Sequence, residues 1–193
     1  MADHIIDEAI DYASRLFEED ASGHDLGHSL RVWRGAMLIA RNEPSSDAFV
    51  VALAAILHDV DDHKLFLTRG NANARAFLDG VQVDPDKVER ICEAINSVSF
   101  SQNRGRRPST IEGKIVQDAD RLDAIGAIGI ARAFAYGGAH GRGMESSVRH
   151  FHEKLLLLVD EMNTDMGRKL AESRHAFLLA FLDEFSEEMS LTV

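Results

Sequence analysis

The sequence predicts an all-α fold, a single-domain helical bundle. Three observations point there. Apolar residues recur at helical spacing over almost the whole length, and no convincing period-two stretch interrupts them. Only 3 Pro occur among 193 residues, and no linker, internal repeat or low-complexity segment divides the chain. Hydrophobic residues make up 45%, enough for a sizeable core in one domain.

Charge and composition exclude several function classes. The formal net charge of -11 argues against stable nucleic-acid binding. No apolar run approaches the length needed to span a bilayer. The acidic start, Met1-Ala2-Asp3-His4, lacks the basic region of a signal peptide. The single cysteine, Cys92, forms no internal disulfide, fits a reducing cytoplasm and reads as a small buried residue.

The first helix is expected over about Ala2–Glu18, with Ile6, Ile10, Ala13 and Phe17 as its apolar stripe. The second starts near His24-Asp25 and runs to about Arg41. Its expected core stripe is Leu26, Leu30, Trp33, Met37 and Ala40, while His24, His28 and Arg31 fall on a separate polar stripe. Ser46 or Asp47 caps the third helix. A loop from Asp61 to Asn71 precedes a short helix closed at Gly80. Asp84-Pro85 opens the next, with Val88, Ile91, Cys92, Ile95 and Val98 buried. The basic loop Gln102 to Pro108 is either a plain solvated loop or a flap that offers Arg to a polyphosphate. One long helix is expected from Thr110 to about Tyr136, then a glycine-rich loop, Gly137 to Gly143, without Walker spacing. A helix from Met144 to about Asn163 and a last helix from Thr164 to about Met189 complete the chain. Leu170, Phe177, Leu178, Phe181, Leu182 and Phe185 are the last helix's expected core residues.

The third helix ends in Leu57-His58-Asp59-Val60-Asp61-Asp62-His63. Burying an apolar face does not require that cluster. Carboxylates at a helix C-terminus also oppose the macrodipole and favour a compensating cation. Adjacent helical residues point about 100° apart, so His58 and Asp59 can share an ion only near the helix end. Asp62, three residues after Asp59, returns to the same side. The long helix carries Asp118, Asp120 and Asp123 among apolar residues. His28, His58, Asp59 and Asp120 thus make a mixed N/O donor set from three helices. It suits one Mn²⁺, Ni²⁺, Co²⁺, Fe²⁺ or Zn²⁺ ion better than Ca²⁺. A six-coordinate ion would keep two open positions, for water and a phosphate oxygen, with Asp62 as proton acceptor.

The ordered pattern His28, His58-Asp59, Asp120 resembles the signature of the HD-domain phosphohydrolases. The surrounding stretches His24-Asp25-Leu26-Gly27-His28, His58-Asp59-Val60-Asp61-Asp62 and Asp118-Ala119-Asp120-Arg121-Leu122 resemble its small stand-alone bacterial branch. The likeness covers about residues 22–164 and makes that span the motif-bearing core of one 1–193 domain, with helix 164–189 packed on it. It implies an all-α protein holding a divalent metal. It favours Asp120 over Asp118 as the fourth ligand and assigns Asp62 to proton transfer. It also implies a nucleotide substrate, with hydrolysis of a nucleoside triphosphate to monophosphate and pyrophosphate favoured. A nucleotide phosphomonoesterase or phosphodiesterase, or a non-catalytic metal-nucleotide sensor, is the alternative. His63, following Asp62, departs from the Glu-Asp pair of alarmone hydrolases.

The remaining polar candidates each have two readings. His24 contacts phosphate or the attacking water, or it caps a helix start. Arg31, Lys64, Arg121, His150 and Lys154 bind substrate phosphate, or they form structural pairs. A homodimer is compatible with all of this.

Overall fold

In the computed structural model, the described residues are 2–17, 26–63, 65–99, 103 and 105–190. Among them are nine α-helices, one 3₁₀ segment and no strand. The chain divides into two compact units, Met1–Asp120 and Arg121–Val193.

The first unit is built on α3 (Ala48–Leu57), in which every residue from Val50 to Leu57 is buried. A helix that is apolar all round must sit inside others. It packs against α1 (Ala2–Phe17), α2 (Leu26–Ala40) and α5 (Pro85–Asn96), and α4 (Ala72–Gly80) packs on α5. Asp47 caps α3, its Oδ1 accepting from the Phe49 and Val50 amides at 3.1 and 3.4 Å. Asp84 caps α5 in the same way, at 3.0 and 3.3 Å from the Asp86 and Lys87 amides. The α5 face is buried as the spacing predicts, Cys92 included.

The α2 face is not. Its buried residues are His28, Ser29, Val32, Ala36, Ile39 and Ala40, whereas Leu26, Leu30, Trp33 and Met37 are only half-buried. The imidazole of His28 therefore continues the core face instead of standing opposite it. On α1 the shift is smaller: Ala9, Ala13 and Phe17 are buried, and Ile6 and Ile10 are intermediate. In both helices alanines lie on the buried side, where they allow close helix packing, and several larger apolar side chains cover the flanks.

The expected long helix is two helices, α6 (Ile111–Asp123) and α7 (Gly126–Ala139). The break falls at Ala124-Ile125. Gly126 adopts φ +74°, which only glycine takes at little cost. A Cβ on Gly129 would overlap the Ala124 carbonyl oxygen, so the bend needs glycine there too. Gly137 and Gly138, expected in a loop, belong to α7.

In the second unit α7 packs on α8 (Met144–Glu153) and on α9 (Asp165–Ser190). The run Leu155–Glu161, expected to continue α8, is the 3₁₀ segment, packed on α8 and α9. Phe134 centres an aromatic cluster with Phe151, Phe181 and Phe185, at 5.8–5.9 Å between centroids. Phe177, expected in the core, is 53% exposed. No described helix is long and apolar enough to cross a membrane.

Candidate metal centre

Three helix segments of the first unit bring four side chains together. His28 comes from the first turns of α2 and is buried. His58 is the C-cap of α3, at φ -62° and ψ -27°, and Asp59 follows in the turn. Asp120 lies on α6. His28 Nε2 stands 3.2 Å from His58 Nε2, 3.5 Å from Asp59 Oδ2 and 3.4 Å from Asp120 Oδ1. His58 Nε2 stands 3.3 Å from Asp59 Oδ2 and 3.9 Å from Asp120 Oδ1. Donor atoms of His28, His58 and Asp120 all lie within 4.8 Å of one another.

These separations fit a cation. Donors about 2.1 Å from one ion and about 90° apart stand about 3 Å from each other. The donors are borderline nitrogen and hard oxygen, a set that a divalent transition ion accepts. The His58 tautomer is set as well. Its Nδ1 hydrogen donates to the Ala55 carbonyl at 2.9 Å, which turns the Nε2 lone pair towards the other donors.

The electrostatics show the same demand for positive charge. Burial would depress the His58 imidazole. The charge and hydrogen bond of Asp59, then Asp120 and the Ala55 carbonyl, overcome it and raise the pKa from 6.5 to about 9. Burial would raise the Asp120 carboxyl, but His28 and His58 beside it hold it below the usual range.

The neighbouring carboxylates have separate fates. Asp61 Oδ1 and Oδ2 accept from the Asn73 and Ala74 amides at 2.9 and 3.0 Å, so Asp61 caps α4 from across the loop. The helix's own N-cap, Asn71, is left-handed at φ 58° and makes no side-chain cap bond. Sequence reasoning missed this role, because the cap comes from ten residues upstream rather than from the N-cap position. Asp62 is half-buried, its amide donating to the Asp59 carbonyl at 3.0 Å and its Oδ1 lying 3.6 Å from His63 Nδ1. Asp118 is fully buried. Gln117, on the Asp120 side of α6, donates its amide to the Ser97 carbonyl at 2.7 Å.

The other polar candidates are placed as follows. Arg31 is half-buried on α2, one turn beyond His28. His24 and Lys64 lie outside the described residues, as do Gln102 and Arg104 of the basic loop; Arg106 and Arg107 are exposed. In the second unit Arg121 is buried, with Nη2 3.0 Å from Glu161 Oε2 and Nη1 donating to the Glu161 carbonyl, the structural pair and not an open cation. Asp123, one turn after Asp120, accepts from Arg132 at 2.6 Å. His150 is half-buried; burial, then Lys154 and Arg142, lowers its pKa. Lys154 follows one turn later as the C-cap of α8.

Known proteins resemble this chain over most of its length. The sequence model of the HD domain family matches residues 25–125. Bacillus subtilis YpgQ is 41% identical over 187 residues, covering 92% of this chain and 90% of that protein. The crystal structure of YpgQ in complex with ADP matches with a TM-score of 0.84 at 36% identity, over 97% of this chain and 96% of that one. A crystal structure described as an HD-superfamily hydrolase from Bacillus thuringiensis matches with a TM-score of 0.83 at 37% identity, over all of both chains. The chain belongs to the HD domain family and is a metal-dependent hydrolase of the HD superfamily.

Proposed function

We propose that this protein is a nucleoside triphosphate pyrophosphohydrolase, with His28, His58, Asp59 and Asp120 as the ligands of one divalent transition ion. The observation that carries the reading is the approach of the His28 and His58 Nε2 atoms to 3.2 Å, each of them 3.3–3.9 Å from Asp59 Oδ2 and Asp120 Oδ1. The ADP bound to YpgQ supports a nucleotide as ligand, and the likeness to the small stand-alone branch supports pyrophosphate as the leaving group.

When bound, the ion supplies Lewis-acid activation of water and of a phosphoryl oxygen. The protein's own residues do the rest. His58, oriented by Ala55, and His28 hold neutral donors at fixed positions, while Asp59 and Asp120 offset the ion's charge. Asp62, three residues beyond Asp59, accepts the proton that water loses as its oxygen bonds to the α-phosphorus. The bond from that phosphorus to the bridging oxygen breaks, and pyrophosphate departs with the electron pair. Arg31 approaches the phosphates from α2. His24, at phosphate or the attacking water, and Lys64, at phosphate, are the remaining contacts in this reading.

The test is a nucleotide panel hydrolysed with Mn²⁺, with phosphate and pyrophosphate assayed separately. Stoichiometric pyrophosphate and monophosphate are expected, and Asp62→Asn should lower kcat about 10²- to 10³-fold with Mn²⁺ affinity unchanged. Release of phosphate alone would refute the bond assignment.

A further inference from the structure

Arg90, on α5, reaches the start of two helices whose far ends carry the donors. Its Nη1 donates to Asp47 Oδ2 at 3.2 Å and its Nη2 to Glu112 Oε1 at 2.7 Å. The same Glu112 oxygen accepts the Asp47 backbone amide at 3.0 Å. Lys87 Nζ adds a contact of 3.3 Å to Asp47 Oδ2. Asp47 caps α3 and Glu112 lies in the first turn of α6. One guanidinium and one carboxylate therefore tie the N-terminus of α3 to that of α6.

Stability alone does not explain this arrangement. Arg90 is 44% exposed at its side chain, and exposed ion pairs contribute little. Glu112, by contrast, is buried, and a buried carboxylate is costly unless it is fully bonded. The apolar surfaces of α3 attract without direction. Charge-assisted bonds to a planar guanidinium have a fixed geometry. A metal site needs its donors held within about 0.5 Å. His58 lies about 16 Å along the chain axis from Asp47 and Asp120 about 12 Å from Glu112, at about 1.5 Å per residue. A stiff helix passes an axial shift at one end to the other.

We propose that Arg90, Asp47 and Glu112 form a positioning clamp that sets the axial register of α3 against α6, and with it the spacing of His58 and Asp59 to Asp120. It rests on the metal-centre reading above. The three residues touch no substrate in this proposal; they act through the ligands.

The test measures the Mn²⁺ dissociation constant of the full chain by calorimetry, beside thermal unfolding of the metal-free protein. Arg90→Ala and Glu112→Ala should weaken Mn²⁺ binding about tenfold. Glu112→Gln, which keeps an oxygen acceptor for the Asp47 amide, should recover most of the loss. Arg75→Ala breaks the pair between Arg75 and Glu89, 2.6 and 2.8 Å long, which joins α4 to α5 and carries no ligand. It should leave Mn²⁺ affinity as in the parent. Clamp variants that lower Tm yet bind Mn²⁺ like the parent overturn the proposal, as does an equal loss in Arg75→Ala. If Glu112→Ala does not fold, Arg90→Lys, unable to reach both carboxylates, supplies the same readout. If His58→Ala binds Mn²⁺ like the parent, the centre itself is misread and the clamp goes with it. If only His58→Ala loses binding, the centre stands and the clamp falls.

Discussion

Two acidic stretches invite comparison. One follows α3 as Asp59-Val60-Asp61-Asp62; the other lies in α6 as Asp118, Asp120 and Asp123. Each holds three carboxylates within six residues, and each turns one of them to the imidazoles of His28 and His58. The rest diverge. Asp61 caps α4 through two backbone amides, Asp123 pairs with Arg132, and Asp118 is fully buried. Asp62 is half-buried beside the turn. Acidic density alone therefore does not single out the candidate donors; the spatial partner of each carboxylate separates those that face the imidazoles from those that cap or pair.

Substitution can break this comparison most sharply at the donors. Asp59→Ala and Asp120→Ala should each abolish Mn²⁺ binding in calorimetry and reduce hydrolysis by about 10³-fold or more, since a catalytic ion is lost. Hydrolysis that survives either change would place the centre elsewhere.

A titration sharpens it further. His58, faced by His28, Asp59 and Asp120, is raised to about 9 when no ion is present. Its protonation stabilises the metal-free fold fully below 6.5, and that contribution disappears as pH rises through 9. Metal-free Tm should therefore decline across this window, and saturating Mn²⁺ should remove the decline. Binding must also displace the proton, so Mn²⁺ affinity should rise about tenfold per pH unit up to about pH 9. A flat affinity between pH 7 and 9 would contradict the coupling.

The smallest effects belong to the carboxylates that do structural work. Asp61→Ala uncaps α4 and should cost about 1–2 kcal/mol of stability. Asp123→Ala removes a buried carboxylate and its bond to Arg132 and should cost about 1–3 kcal/mol. Both should keep the parent's Mn²⁺ dissociation constant. A lost metal site in Asp61→Ala, at full stability, would move Asp61 into the donor set.

Much of the fold was legible because its signals are local. Asp84-Pro85 and Asp47 cap helices where their chemistry predicts, and the period of Val88, Ile91, Cys92, Ile95 and Val98 marks a buried face. The break between α6 and α7 was not legible. Ala124 to Ala131 is compatible with a helix throughout, and only the positive φ of Gly126 and the approach of Gly129 to the Ala124 carbonyl reveal the bend. The α2 face is not legible from its largest apolar residues: Leu26, Leu30, Trp33 and Met37 are half-buried, and the buried side carries His28, Val32, Ala36 and Ile39.

By itself the sequence determined the helical class, most helix starts, and a set of imidazoles and carboxylates whose order and spacing match one family. These depend on backbone propensity, capping and period, which act over a few residues. The tertiary structure alone decided that four donors lie 3.2–3.9 Å apart in the pairs described, that Asp61 caps α4 from across a loop, and that Arg121 belongs to Glu161. Those outcomes turn on distances between segments remote in the chain, where packing and charge select one partner among several that the residue types allow.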